Sequence, residues 1–116
     1  MSLQAYQRAA QRAETPRETE YRLFGQVTGA LIDVHSAGAR GKPLVDAIDW
    51  NRRLWSTLAI DCLDDGNRLP KQLRAQIVSL SLWVSKYSSE VMRDGAPLDP
   101  LIDINRTIMQ GLQPAA

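Results

Sequence analysis

One stretch sets the terms for this chain: Leu69 to Arg93, LPKQLRAQIVSLSLWVSKYSSEVMR, with no charged residue between Gln76 and Ser85. Within it Leu73, Ile77, Leu80, Val84, Tyr87 and Val91 advance by steps of four and three. At about 100° per residue these positions form a single stripe along a helix. Val78 and Leu82 fall on the opposite side, Trp83 on a flank, and no charge holds any face in water. A helix that is apolar all round belongs in the middle of a protein, so the expectation is a central helix covered on almost every side. The uncharged run is about half the ~20 residues needed to cross a hydrocarbon core, which favours burial in protein over burial in lipid. Ser79, Ser81, Ser85, Ser88 and Ser89 then read as places where neighbouring helices come close.

The rest of the chain supplies the neighbours. Thr15-Pro16-Arg17-Glu18 starts a helix, with Thr15 as the cap, Pro16 where a missing N–H costs nothing, and Glu18 at the capping-box position. Tyr21, Phe24, Val27, Thr28, Leu31 and His35 form its inward stripe, and the polar loop Gly38 to Lys42 ends it. Pro43 opens the next helix, whose stripe is Leu44, Ile48, Asn51, Trp55, Leu58 and Cys62. Its outer face carries Asp49 and Arg53 at i,i+4, a pair that contributes about 0.2–0.5 kcal/mol. Asp64 to Asn67 stops it, with Gly66 free to turn left-handed, and Pro70 starts the helix described above. Asp99-Pro100 caps and opens a last helix with Leu101, Ile104, Asn105, Ile108 and Leu112 inward.

Residues 2–13 have the pattern of a short helix with little apolar surface, too short to be stable unless docked. No segment alternates with period two and the connections are short. The fold class is therefore all-α: one domain, a bundle of four main helices over residues 15–113, with residues 1–14 as an N-terminal helical arm. At 116 residues the chain is long enough to bury a core without disulfides or metal.

Two asparagines, Asn51 and Asn105, sit on inward stripes among apolar residues. An unpaired amide there costs about 1–3 kcal/mol, so both are expected to be buried and hydrogen-bonded, to each other or to a neighbouring helix.

Several chemistries are unsupported. His35 is the only histidine, which leaves no metal cluster and no His-based catalytic dyad within the chain. Asp64-Asp65-Gly66-Asn67 lacks the alternating oxygen ligands and closing Glu of a calcium loop, and Gly38 to Lys42 lacks phosphate-loop spacing. Neither a cofactor nor an enzymatic activity is expected. A net charge of +1 with acids and bases interspersed gives no field to gather nucleic acid or to hold a membrane surface. Cys62 has no partner in the chain, and the N-terminus lacks the apolar core of a secretory signal; both fit a reducing cytoplasm. What remains is an interaction role. Leu3 and Tyr6 on the arm, and Trp50 and Ile60 off the inward stripe, are the apolar positions expected to meet a partner protein.

Five segments carry a resemblance that runs over nearly the whole chain: AYQRA at Ala5–Ala9, TPRETEYRLFGQVTGALI at Thr15–Ile32, NRRLWSTLAIDCL at Asn51–Leu63, NRLPKQLRAQIVSLSLWV at Asn67–Val84 and LIDINRTIMQGL at Leu101–Leu112. The ordered set N-x-x-L-W, N-x-L-P-x-x-L-R and L-I-D-I-N-R resembles the FlaF family of flagellar biosynthesis regulators of alphaproteobacteria, with only the Gly38–Lys42 loop idiosyncratic. The resemblance implies a small cytoplasmic, non-enzymatic protein that promotes flagellin production and export. Its implied partner is flagellin itself, bound in the manner of a secretion chaperone, with FlbT as the functional counterpart that restrains flagellin synthesis. The alternative is a post-transcriptional regulator that binds flagellin messenger. Such a protein needs a basic face with stacking aromatics, whereas Arg40, Lys42, Arg52, Arg53, Arg68, Lys71 and Arg74 are dispersed among acids.

Overall fold

Thr15 starts the first helix as its sequence requires: its hydroxyl oxygen accepts the Glu18 N–H at 3.1 Å, and Pro16 occupies the first turn. The structure, a computed structural model, describes residues 2–5 and 14–112. The four main helices are α1 (Pro16–Ser36), α2 (Lys42–Cys62), α3 (Lys71–Asp94) and α4 (Asp99–Leu112), and the described residues contain no strand. Residues 3–5 are also helical, begun by Ser2, whose Oγ accepts the Ala5 N–H at 3.1 Å. Tyr6 and most of the expected arm, residues 6–13, lie outside the described residues, as does residue 113 at the far end of the bundle. No helix among the described residues is long and apolar enough to cross a membrane.

The inward stripes meet as periodicity requires. Phe24, Val27 and Leu31 of α1, Ile48, Trp55 and Leu58 of α2, Ile77 and Val84 of α3, and Leu101, Ile108 and Leu112 of α4 form one buried core. Each fully buried large side chain contributes about 1.5–3 kcal/mol. Phe24 meets Trp55 edge to face, with centroids 5.5 Å apart and planes at 84°, an arrangement that sets the ring edge against the π face.

The expectation of a central helix fails. The helices form a ring: α1 packs on α2 and α4, α3 packs on α2 and α4, and the backbones of the diagonal pairs do not approach each other, so α2 and α4 meet only through side chains reaching across the middle. With two neighbours rather than three or four, α3 is covered on one side only. Ile77, Val84, Ser88 and Val91 are buried and Leu80 is half-buried, but Leu82 is 72% exposed, and Ala75, Gln76, Ser79, Trp83 and Ser85 also face outward. Only Ser88 among the five serines is fully buried. A run without charge reports what a helix avoids on each side, and it does not say which sides this chain itself covers.

Two helix ends also differ from expectation. Gly66 is not left-handed; the positive-φ glycines are Gly38, Gly41 and Gly95. The end of α2 is instead closed by a cation from the next helix: Arg74 Nε donates to the Cys62 carbonyl and Nη2 to the Asp64 carbonyl, both at 2.9 Å. A guanidinium on orphan C-terminal carbonyls satisfies them and complements the helix dipole, so no left-handed residue is needed. The following turn is pinned by Asp64 Oδ1 accepting the Gly66 N–H and Asn67 Oδ1 accepting the Leu69 N–H, each at 2.9 Å. At Gly95, φ is 72°, and the Ala96 N–H returns to the Glu90 carbonyl at 3.4 Å to end α3. Asp99 is the second departure. It lies inside the first turn of α4 rather than capping it, and its Oδ1 stands 3.1 Å from His35 Nε2 at the end of α1.

Candidate functional site

Inside the ring, one polar chain ties three helices together. Asn51 and Asn105 are both fully buried. Trp55 Nε1 donates to Asn105 Oδ1 at 2.8 Å, and Asn105 Nδ2 donates to Asn51 Oδ1 at 2.7 Å and to Thr28 Oγ1 at 3.2 Å. The Thr28 hydroxyl in turn donates to the Phe24 carbonyl at 2.6 Å. An indole N–H can only donate, so Trp55 fixes which end of the Asn105 amide is oxygen. That choice turns Nδ2 toward Asn51 and Thr28 and sets every other bond in the chain. The sequence held the signal, because Asn51 and Trp55 lie one turn apart on one stripe and Thr28 lies on another. What it lacked was the rotation that brings α1, α2 and α4 to a common point. Asn51 Nδ2 and Ser88 Oγ remain buried without a partner.

A second cluster joins the start of α1 to the end of α2. Burial, and secondarily the Asp61 carboxylate, raise the Glu20 carboxyl above its ordinary range, against the pull of Arg17. Burial also raises the Cys62 thiol, with the Glu20 charge acting in the same direction. A buried, protonated thiol is a packing residue, the role its place on the α2 stripe indicates. No group of three or more His, Cys, Asp or Glu among the described residues is placed to hold a metal ion.

Two open clefts flank the bundle. One, about 560 Å³, runs between Thr15–Glu20 and Gly66–Leu69 and mixes Arg17 and Arg68 with Glu18 and Glu20. The other, about 440 Å³, has Arg40 and Arg93 over a floor that includes Val34, Leu44 and Leu98, with Arg93 Nε 3.8 Å from Asp94.

The surface positions expected to meet a partner are scattered. Leu3 is 71% exposed, Ile60 68% and Trp50 41%, while Tyr6 lies outside the described residues. Trp50 and Ile60 are about 15 Å apart along α2 and about 80° apart around it, so they do not make one contact point. The structure brings together a different set, on α3. Ala75, Gln76, Ser79, Leu82 and Trp83 are all exposed and share an arc of about 120°. Trp83 lies flat on Tyr87, with centroids 5.0 Å apart and planes at 14°, and the Tyr87 hydroxyl donates to the Pro97 carbonyl at 2.7 Å. The turn between α3 and α4 thereby holds the aromatic pair in place. Sequence reasoning missed this face because it assigned the same residues to the interior.

Against curated proteins and against solved structures the chain finds no match. The family model described as "Flagellar protein FlaF" matches residues 2–112, from the Ser2 cap to the last residue of α4. With nearly its whole length covered by that one model, this chain belongs to the FlaF family of flagellar proteins.

Proposed function

We propose that the protein promotes flagellin production and export by binding flagellin directly in the cytoplasm, as a secretion chaperone or adaptor, with FlbT as its functional counterpart. Family membership supports the flagellar setting. The observation that carries the binding mode is the apolar surface: Ile60, Leu63 and Leu82 are each exposed over two-thirds of their area, although the core beneath them is complete. Such side chains offer a contact dominated by apolar burial and set on rigid helices. The cations do not form a nucleic-acid footprint. Lys42 and Arg53 are paired on their own helix with Asp46 and Asp49 at 2.7 Å, and Arg74 is spent on carbonyls of α2 and the turn after it.

Calorimetry with purified flagellin over a range of salt concentration tests this reading. The expected result is binding at micromolar concentrations whose affinity changes little between about 50 and 500 mM salt. No heat at tens of micromolar, or an affinity that collapses with salt as phosphate neutralisation demands, overturns it.

A further inference from the structure

The outward face of α3 between Arg74 and Lys86 is where the architecture leaves the most unexplained. In a chain with 23% charged residues, a solvent-facing helix side ordinarily carries charge, yet these turns contain none. They carry Leu82, 72% exposed, beside Trp83, with Ala75, Gln76 and Ser79 on the same arc. Nothing among the described residues covers them. The chain's composition is that of a helix packed on all sides, and the ring supplies packing on one side only.

We infer that this face is the docking strip for one amphipathic helix of the client, laid along α3 with an uncharged aliphatic face against it. The inference rests on the reading that the client is flagellin and deepens it by naming the surface and the chemistry. A helical occupant suits the strip: it is about 15 Å of one helix surface on which the small Ala75 and Ser79 alternate with the larger Leu82 and Trp83, the kind of relief into which the ridges of a second helix pack. A knob such as Leu fits over Ser79, and a small residue fits over Leu82. The charge pattern points the same way. A partner whose contact face carried Lys, Arg, Asp or Glu would desolvate those charges against a surface with no counter-charge for three turns, which selects a neutral face. A second copy of this chain is the less fitting occupant, because a strip about 15 Å long and one helix wide falls well short of the roughly 600 Å² per partner of a stable protein interface. A transient contact with one client helix belongs to the smaller class of interface. Trp83 is also pre-ordered by its stack on Tyr87 and by the Tyr87–Pro97 hydrogen bond, so docking immobilises little that is free beforehand.

The test compares the wild type with Leu82→Lys, Ser79→Glu and the control Val45→Lys in calorimetry with flagellin, with circular dichroism to verify that each variant keeps its helix content. Leu82, Ser79 and Val45 are all exposed, so the three variants probe surface rather than core. The expected result is at least a tenfold loss of affinity for Leu82→Lys and for Ser79→Glu, with Val45→Lys within threefold of the wild type. Wild-type affinity in Leu82→Lys and Ser79→Glu overturns the strip while leaving flagellin binding intact, as does an equal loss in all three variants. Absence of binding by the wild type overturns the flagellin reading and this inference with it. Sedimentation showing a wild-type dimer that Leu82→Lys dissociates assigns the strip to a second copy and overturns the client helix.

Discussion

Asn105 holds more of the interior together than any apolar residue of similar size, because three bonds converge on its amide from Trp55, Asn51 and Thr28. Replacing it with Ala strands the buried Trp55 N–H and the Asn51 carbonyl oxygen together. Asn51→Ala removes one bond and also deletes an amide nitrogen that has no partner. Chemical denaturation should therefore show Asn105→Ala costing about 2–4 kcal/mol and Asn51→Ala clearly less; equal losses would mean that the network does not act through Asn105. Glu20 makes a prediction of the opposite sign. Its carboxyl is held above the ordinary value near 4.5, so the folded state binds that proton more tightly than the unfolded state does. Stability from this group is present at low pH and falls as pH rises above about 4.5 through the folded pKa. Glu20→Gln should accordingly stabilise the protein at neutral pH, with the advantage shrinking as pH is lowered toward 4. Denaturant midpoints measured across that range decide it, and an advantage that grows on acidification would contradict the assignment. The burial of both asparagines could be read from their stripes, whereas the raised carboxyl could not, since it depends on the packing that buries Glu20 and, secondarily, sets it near Asp61.

At the scale of the element, helix positions were legible almost to the residue. Proline stands at or beside every main helix start: Pro16 and Pro43 in first turns, Pro70 just before α3 and Pro100 just inside α4. The reason is local, since the backbone N–H that proline lacks is surplus only there. Helix ends were less legible where the closing group came from elsewhere in space, as with Arg74 on the end of α2 and Asp99 turned to His35. The faces of α3 were the largest misreading, and they make a testable contrast. Ile77 is fully buried and Leu82 is mostly in water. Ile77→Ala should cost about 2–5 kcal/mol, and Leu82→Ala less than about 0.5 kcal/mol. Leu80, at the centre of the stripe but only half-buried, should fall between them. Thermal or urea unfolding of the three variants checks the order, and a costly Leu82→Ala would place that face inside after all.

For the whole molecule, period and loop length were enough to specify an all-α bundle, and the ring order of the helices was not available from them. Each stripe says that a helix has an inside; which helices share that inside is decided by complementary packing between elements distant in sequence. The same gap hid the proposed docking strip. An uncharged face reads alike whether its cover is another helix of the chain or a helix of a client, and only the ring shows that α3 has a side left over. The direct measurement is hydrogen exchange on the protein with and without saturating purified flagellin. Slowed exchange concentrated in residues 75–90 of α3 is the result this account predicts. Unchanged exchange there, or protection confined to α1 and α2, would contradict it.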